Sequence, residues 1–192
     1  VLTDPIMSRP ATSWQRRQDG WVRAMLASRG ALPDEPGWAF EMTWAGPRLL
    51  VDIAHDRVLA HDDHERDVTT LYPELVAMAG GIADALLDGH LIGLGDDETP
   101  MNYVIVDLLR LYGVDLTRRP YHERRRSLIR LAAAHSLLTV SPSFDDARAT
   151  ASAAREHGLA GVIAKRLTSV YRPGVTSTEW IEHRFPTGGA HG

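Results

Sequence analysis

The sequence predicts an α+β domain of largely antiparallel sheets with flanking helices, and three observations lead there. Stretches that alternate apolar and polar residues recur along the chain, and helical stretches fall among them irregularly, without the regular strand-helix-strand order of a parallel sheet. The 192 residues, 44% of them hydrophobic, suffice to bury one core. Turn-forming clusters such as Leu32-Pro33-Asp34-Glu35-Pro36-Gly37 separate the stretches.

Residues 1–30, with Trp14, Trp21, Val22, Met25 and Leu26 spaced among arginines, predict an N-terminal amphipathic helical extension ending at Gly30. The domain proper is expected over 31–186. It opens with alternating stretches Trp38–Trp44 and Arg48–Ala54, read as a hairpin around a Gly46-Pro47 turn. Tyr72–Met78 has helical character, Ala85–Leu94 and Asn102–Leu109 read as strands, and Tyr121–Ala134 reads as a helix. A strand near Leu137–Ser141, a helix across Asp145–His157 and strands at Val162–Leu167 and Glu179–Phe185 follow. The glycine-rich residues 187–192 read as a disordered tail, and no oligonucleotide-binding domain is expected.

Composition narrows the chemistry. No cysteine is present, which excludes thiolate metal sites and cysteine nucleophiles and suits a cytoplasmic location. No apolar run approaches the roughly 20 residues of a membrane helix. A formal charge of −4 argues against a strongly basic nucleic-acid-binding surface. One local cluster, Arg118, Arg119, Arg124, Arg125, Arg126 and Arg130, reads as a solvated helix face or as an anion contact. Lys165 is the sole lysine, so any lysine chemistry happens there.

Five segments in order carry a resemblance. Gly158-Leu159-Ala160-Gly161-Val162-Ile163-Ala164-Lys165-Arg166-Leu167, followed by Ser169-Val170-Tyr171-Arg172-Pro173-Gly174, closely resembles the fourth nucleotidyl-transferase motif of bacterial ATP-dependent DNA ligases. Asp34–Glu41 leads into the place of the first motif, and Leu87-Asp88-Gly89-His90-Leu91 resembles the Asp-Gly-Glu strand. Tyr103–Leu109 resembles the third motif and Trp180-Ile181-Glu182-His183-Arg184 the fifth, so the likeness covers about residues 23 to 185. It implies the ligase nucleotidyltransferase fold, with motif side chains converging on a nucleotide cleft between sheets.

The resemblance fails where that family's chemistry lies. Its first motif, Lys-x-Asp-Gly-x-Arg, supplies the lysine that attacks the α-phosphate of ATP. The corresponding stretch here is Thr43-Trp44-Ala45-Gly46-Pro47-Arg48. A threonine hydroxyl with no base beside it in sequence is a poor nucleophile. Lys165 aligns with the phosphate-contacting lysine of the fourth motif and does not replace the missing one. His90 stands in place of the Asp-Gly-Glu glutamate and Ala160 in place of a metal-binding glutamate, which removes two oxygen ligands. Val106 replaces an aromatic that often stacks on adenine, and Glu182 replaces a lysine facing the phosphates.

These departures imply a changed cleft. Glu41, His90, Lys165 and Glu182 are the expected catalytic groups, with Arg48, Thr43, Trp44, Val106 and Arg184 as ligand contacts. Histidine and buried carboxylates are the usual acids and bases at neutral pH. His90 is then an acid–base group or a hydrogen-bonded histidine without chemistry. Glu41, where the family reaches the adenine edge, either accepts a hydrogen bond from an aromatic amine or pairs with Arg48. Lys165 binds an anion, forms a structural ion pair or forms a Schiff base. Trp44 and Trp180 stack on a ligand or fill the core. Registration selects Glu182 over His183 for the cleft. The expected function is acid–base catalysis on a small aromatic amine, with a non-catalytic nucleotide- or DNA-binding module as the alternative. No cofactor and no metal are expected, and ATP and DNA are disfavoured as partners.

Overall fold

A computed structural model describes residues 22–55, 57–93 and 101–186. Two sheets face each other, with helices on their outer sides. The first sheet takes β1 (Leu26–Arg29), β2 (Trp38–Met42), β9 (Ser143–Phe144), β10 (Gly161–Arg166) and β11 (Thr176–Arg184) in the order β1-β11-β10-β2-β9. Its pairs are antiparallel except for β1 with β11. The second sheet orders β4 (Arg57–Asp62), β3 (Arg48–Ala54), β5 (Asp84–Ile92), β6 (Asn102–Leu111) and β7 (Val114–Asp115), with β8 (Thr139–Val140) lying parallel to β6. This is the α+β arrangement the sequence predicts.

Helix α1 (Pro73–Met78) starts with proline at its first position, where the missing N–H costs nothing. Helix α2 (Tyr121–Ala134) buries Tyr121, Arg124, Leu128 and Leu131, a stripe at helical spacing. Helix α3 (Ala147–Glu156) is capped by Asp146, whose side chain accepts the Ala149 N–H. α1 and α2 cover the second sheet through Leu75, Met78, Leu128 and Leu131 against Leu87 and Ile105. α3 lays Ala151 and Ala154 on Phe40, Val162 and Ala164 of the first sheet. A smaller cluster of Met25, Leu50, Leu86, Leu109, Tyr171 and Trp180 joins the two sheets.

Two expectations are corrected. Val22–Gly30 is not helical: Met25 is fully buried, its carbonyl accepts Arg48 Nη1 at 2.8 Å and its N–H is held by the Tyr171 hydroxyl at 2.9 Å. The following residues run alongside β11, so tertiary pairing outweighs the helical spacing. The part of the expected helix in residues 1–21, and the expected tail at 187–192, lie outside the described residues. The hairpin also fails. β2 and β3 belong to different sheets, and the Gly46-Pro47 segment carries the chain across. Gly46 has φ +119°, and a Cβ there would sit 1.9 Å from the Leu91 carbonyl oxygen, so only glycine permits the crossing. Among the described residues no helix is long and apolar enough to cross a membrane.

Candidate functional site

Period-two alternation decides which side chains of the first sheet meet the second. Lys165 on β10 pairs with Ala39 on β2 and Trp180 on β11, and Ile163 pairs with Glu41 and Glu182. Glu41, Lys165, Trp180 and Glu182 therefore share the inner face, while Phe40 and Val162 pack outward on α3. His183 takes the outer side, its Nδ1 3.2 Å from the Gly30 carbonyl oxygen and its ring against Phe185. From the opposing side come Val106 of β6 and Tyr121 and Arg125 of α2.

These residues form one buried polar cluster. Lys165 Nζ lies 2.9 Å from Glu41 Oε1 and donates to the Val106 carbonyl at 2.9 Å. The ammonium also faces the Trp180 ring at 4.6 Å and the Tyr121 ring at 5.2 Å. The Tyr121 hydroxyl donates to the same Glu41 oxygen, and Arg125 Nη1 stands 3.7 Å from it. Burial, followed by the Glu41 charge, pushes the Tyr121 phenol well above its ordinary pKa, so it stays a donor at neutral pH. Glu41 is 0% and Lys165 1% exposed, so at this spot the side chains pack the cleft shut. Three of the cluster's buried polar atoms lack a hydrogen-bond partner: Glu41 Oε2, Thr43 Oγ1 and Arg125 Nη1. Such atoms in a native protein call for an explanation.

Arg48 and His90 are cross-strand neighbours on β3 and β5. Arg48 does not pair with Glu41. It grips Asp88 with both ends of its guanidinium fork, Nε to Oδ1 at 2.8 Å and Nη2 to Oδ2 at 2.6 Å, and the Tyr171 hydroxyl adds a bond of 2.9 Å. Burial opposes both charges, but their attraction outweighs it: Arg48 is held above its usual pKa and Asp88 below. His90 is half-buried, with Nδ1 3.4 Å from the Gly46 carbonyl oxygen. Burial first and the Arg48 charge second lower its pKa, so the imidazole is neutral at pH 7. Glu182 lies on the inner face but is taken by its neighbour Arg184 at 2.7 Å. Trp44 turns its indole N–H to Ser141 Oγ at 3.0 Å, and Trp180 is fully buried between the sheets. Val106 contributes its carbonyl, not a stacking surface.

A family model described as ATP dependent DNA ligase domain matches residues 94–183. The chain is 35% identical over 177 residues to the multifunctional non-homologous end joining DNA repair protein LigD of Mycobacterium tuberculosis, covering 83% of this chain and 23% of that protein. The corresponding Pseudomonas aeruginosa protein is 32% identical over 185 residues, 84% of this chain and 22% of its own length. The crystal structure of the ligase domain from M. tuberculosis LigD matches with TM-score 0.78 at 34% identity, covering 85% of this chain and 59% of that one. The chain is a homologue of the DNA ligase adenylation domain. Chlorella virus DNA ligase-adenylate, at 12% identity and TM-score 0.61 over 85% of this chain and 68% of that one, shares the fold.

Both Asp88 oxygens are occupied, and no group of three His, Asp or Glu side chains converges among the described residues. A cavity of about 250 Å³ lined by Leu32, Ala151, Arg155 and His183, and one of about 210 Å³ lined by Leu75, Met78, Tyr103 and Leu137, lie away from the Glu41–Lys165 cluster.

Tyr121, Asp88 and Tyr171 are not among the site residues the sequence points to, and Arg125 is expected there only as a solvated or anion-contacting arginine, not as a neighbour of Glu41. A signal existed for Tyr121 and Arg125, because positions four apart share a helix face, and the two open α2 at that spacing. The arginine cluster was not one solvated face: Arg124 is fully buried and Arg125 largely so, and the helix sorts them by angle.

Proposed function

We propose that this ligase-like domain has left adenylyl transfer and holds an amine-bearing heteroaromatic ring, the group a nucleobase presents, in the cleft between its sheets. One observation carries the reading. The chain's sole ammonium is committed to Glu41 Oε1 and the Val106 carbonyl, while Glu41 Oε2 is left with acceptor capacity and no donor. Thr43, where the ligase resemblance places the nucleophile, offers a hydroxyl with no hydrogen-bonded base. Metal-assisted transfer of an adenylyl group needs an acceptor and oxygen ligands, and among the described residues no three His, Asp or Glu side chains converge to supply the ligands. The absence of cysteine suits the cytoplasm, and a charge of −4 disfavours DNA as the main partner.

Incubation with α-labelled ATP and magnesium, followed by denaturing electrophoresis, should leave no label on the protein. Calorimetric titration with nucleosides should give saturable binding. A labelled band on the unaltered chain would restore transferase activity to the domain, and the lack of any nucleoside binding at millimolar concentration would remove the ring-binding reading.

A second reading rests on His90. A neutral imidazole beside Arg48 at the edge of the cleft is the usual form of a general base. On that reading the domain condenses or cyclises a small aromatic amine. Loss of a detected turnover in folded His90→Ala and Glu41→Ala variants would favour it over simple binding.

A further inference from the structure

We infer that the cavity beside α3, on the outer side of the first sheet, binds a small molecule that carries one carboxylate or phosphate group on a short apolar body. It lies away from the Glu41–Lys165 cluster and does not depend on the ring-binding reading of the cleft. Its volume is about 250 Å³. Ligand pockets ordinarily run from about 300 to 1,000 Å³, so the occupant is small.

Two guanidiniums and an imidazole line this cavity. Arg148, Ala151 and Arg155 stand three and four residues apart, so α3 turns all three to one side. Strand alternation sends His183 outward to the same place, while Glu182 takes the inner face. The Phe185 ring orients two of these groups. Arg155 lies over it with Cζ 4.1 Å from the centroid, and His183 meets it in a T-shaped contact at 5.9 Å. Arg155 Nη1 also donates to the Ala151 carbonyl at 3.4 Å, and His183 Nδ1 faces the Gly30 carbonyl oxygen at 3.2 Å. A guanidinium already held by an aromatic face and a hydrogen bond loses less freedom when it grips an oxyanion. Among the described residues neither Arg148 nor Arg155 belongs to an ion pair, and neither does Asp34, the one carboxylate of the lining. Two permanent cations thus stand against one anion, and a single oxyanion completes the balance. A polyanionic backbone would meet the repulsion of Asp34. The forked N–H groups of arginine match the paired oxygens of a carboxylate or a phosphate. Leu32, Ala147 and Ala151 supply the apolar part of the wall, which suits the body of the ligand.

The test is a heteronuclear NMR titration of the full chain, read at the arginine Nε–H signals, with benzoate, phenyl phosphate, acetate, inorganic phosphate and benzamide. Benzoate or phenyl phosphate should shift the Arg148 and Arg155 signals saturably. Acetate and inorganic phosphate, which lack the apolar body, should bind about tenfold more weakly. Benzamide keeps the ring without the charge and should not bind. Arg155→Gln should weaken the better ligand about tenfold, and Arg148→Gln less, because Arg148 has no aromatic support. Ala147→Leu fills the apolar side without touching a charge and should also lower affinity. Tighter phenyl phosphate supports a phosphate ligand, and tighter benzoate supports a carboxylate. Benzamide bound as well as benzoate overturns the inference, as do two arginine variants with unchanged affinity, or signals that no probe moves at about 10 mM. Should Arg155→Gln not fold, Arg148→Gln and the ligand series on the unaltered chain decide.

Discussion

Two buried ion pairs of this domain, Arg124 with Asp107 and Lys165 with Glu41, differ in one respect. Arg124 meets Asp107 with two parallel bonds of 2.9 and 2.7 Å, and its remaining Nη1 donates to the Arg119 and Ser169 carbonyls. Both side chains are 0% exposed, and the pair ties the start of α2 to β6 with every charged atom engaged. Lys165 and Glu41 are equally buried, yet one carboxylate oxygen takes the ammonium and the phenol while the other takes nothing. Burial of charge is tolerated in a fold when the surrounding donors and acceptors complete it. The first pair is complete and therefore structural. The second is incomplete at Glu41 Oε2.

The comparison can be broken most directly at the complete pair. Asp107→Ala leaves Arg124 buried without its counter-charge and should cost about 3–5 kcal/mol in urea unfolding. A cost below about 1 kcal/mol would mean that water reaches Arg124 and that the pair is not the staple it resembles. Glu41→Gln also strips a buried cation, Lys165, of its counter-charge, but the amide oxygen still accepts from the ammonium and from Tyr121, so its cost should lie at the lower end of that range, about 3 kcal/mol. The same change should abolish nucleoside binding, so a stable variant that binds normally would erase the distinction between the two pairs.

The smallest effect is the response to pH, and it sharpens where the cleft rim ends. His90 and His61 both have pKa values lowered chiefly by burial. Between those values and about 6.5 the unfolded chain binds protons that the folded chain does not. Their contribution to stability is therefore complete above about pH 6.5 and is lost as pH falls through the folded values. Asp88, also held low, adds stability with the same sign but only in the acid range below the ordinary carboxylate pKa. The melting temperature should drop from pH 7.5 to 5.5, and His90→Gln should flatten that slope. An unchanged slope would assign the whole effect to His61.

Much of the fold was legible residue by residue. Helix α2 spans the predicted Tyr121–Ala134, and β5, β6, β10 and β11 fall within a few residues of expectation, because their periodicity is strong and their ends carry turn residues. The errors were of partner choice. Trp38–Trp44 and Arg48–Ala54 alternate as hairpin strands would, but alternation specifies a half-buried face without specifying which sheet supplies it. β4 went unread because Arg57–Asp62 carries little periodicity, and β1 because its stabilising partner lies 150 residues away on β11. The inner-face position of Glu41, Lys165 and Glu182 follows from period two and register. The pairing of Lys165 with Glu41, and of Arg48 with Asp88, does not.

What the sequence determined by itself is chemical inventory and kinship. Lys165 is the one lysine, cysteine is absent, and five ordered segments carry the likeness to the ligase fold. Only the tertiary structure decided how the charges are shared. Ion pairing depends on distances of a few ångströms between side chains from different sheets and helices, and Coulomb energy in a buried site changes steeply over that range. A one-dimensional pattern records which groups are present and which face they occupy. Whether a carboxylate ends up saturated or half-empty is settled by the packing of Tyr121, Arg125 and Val106 around it.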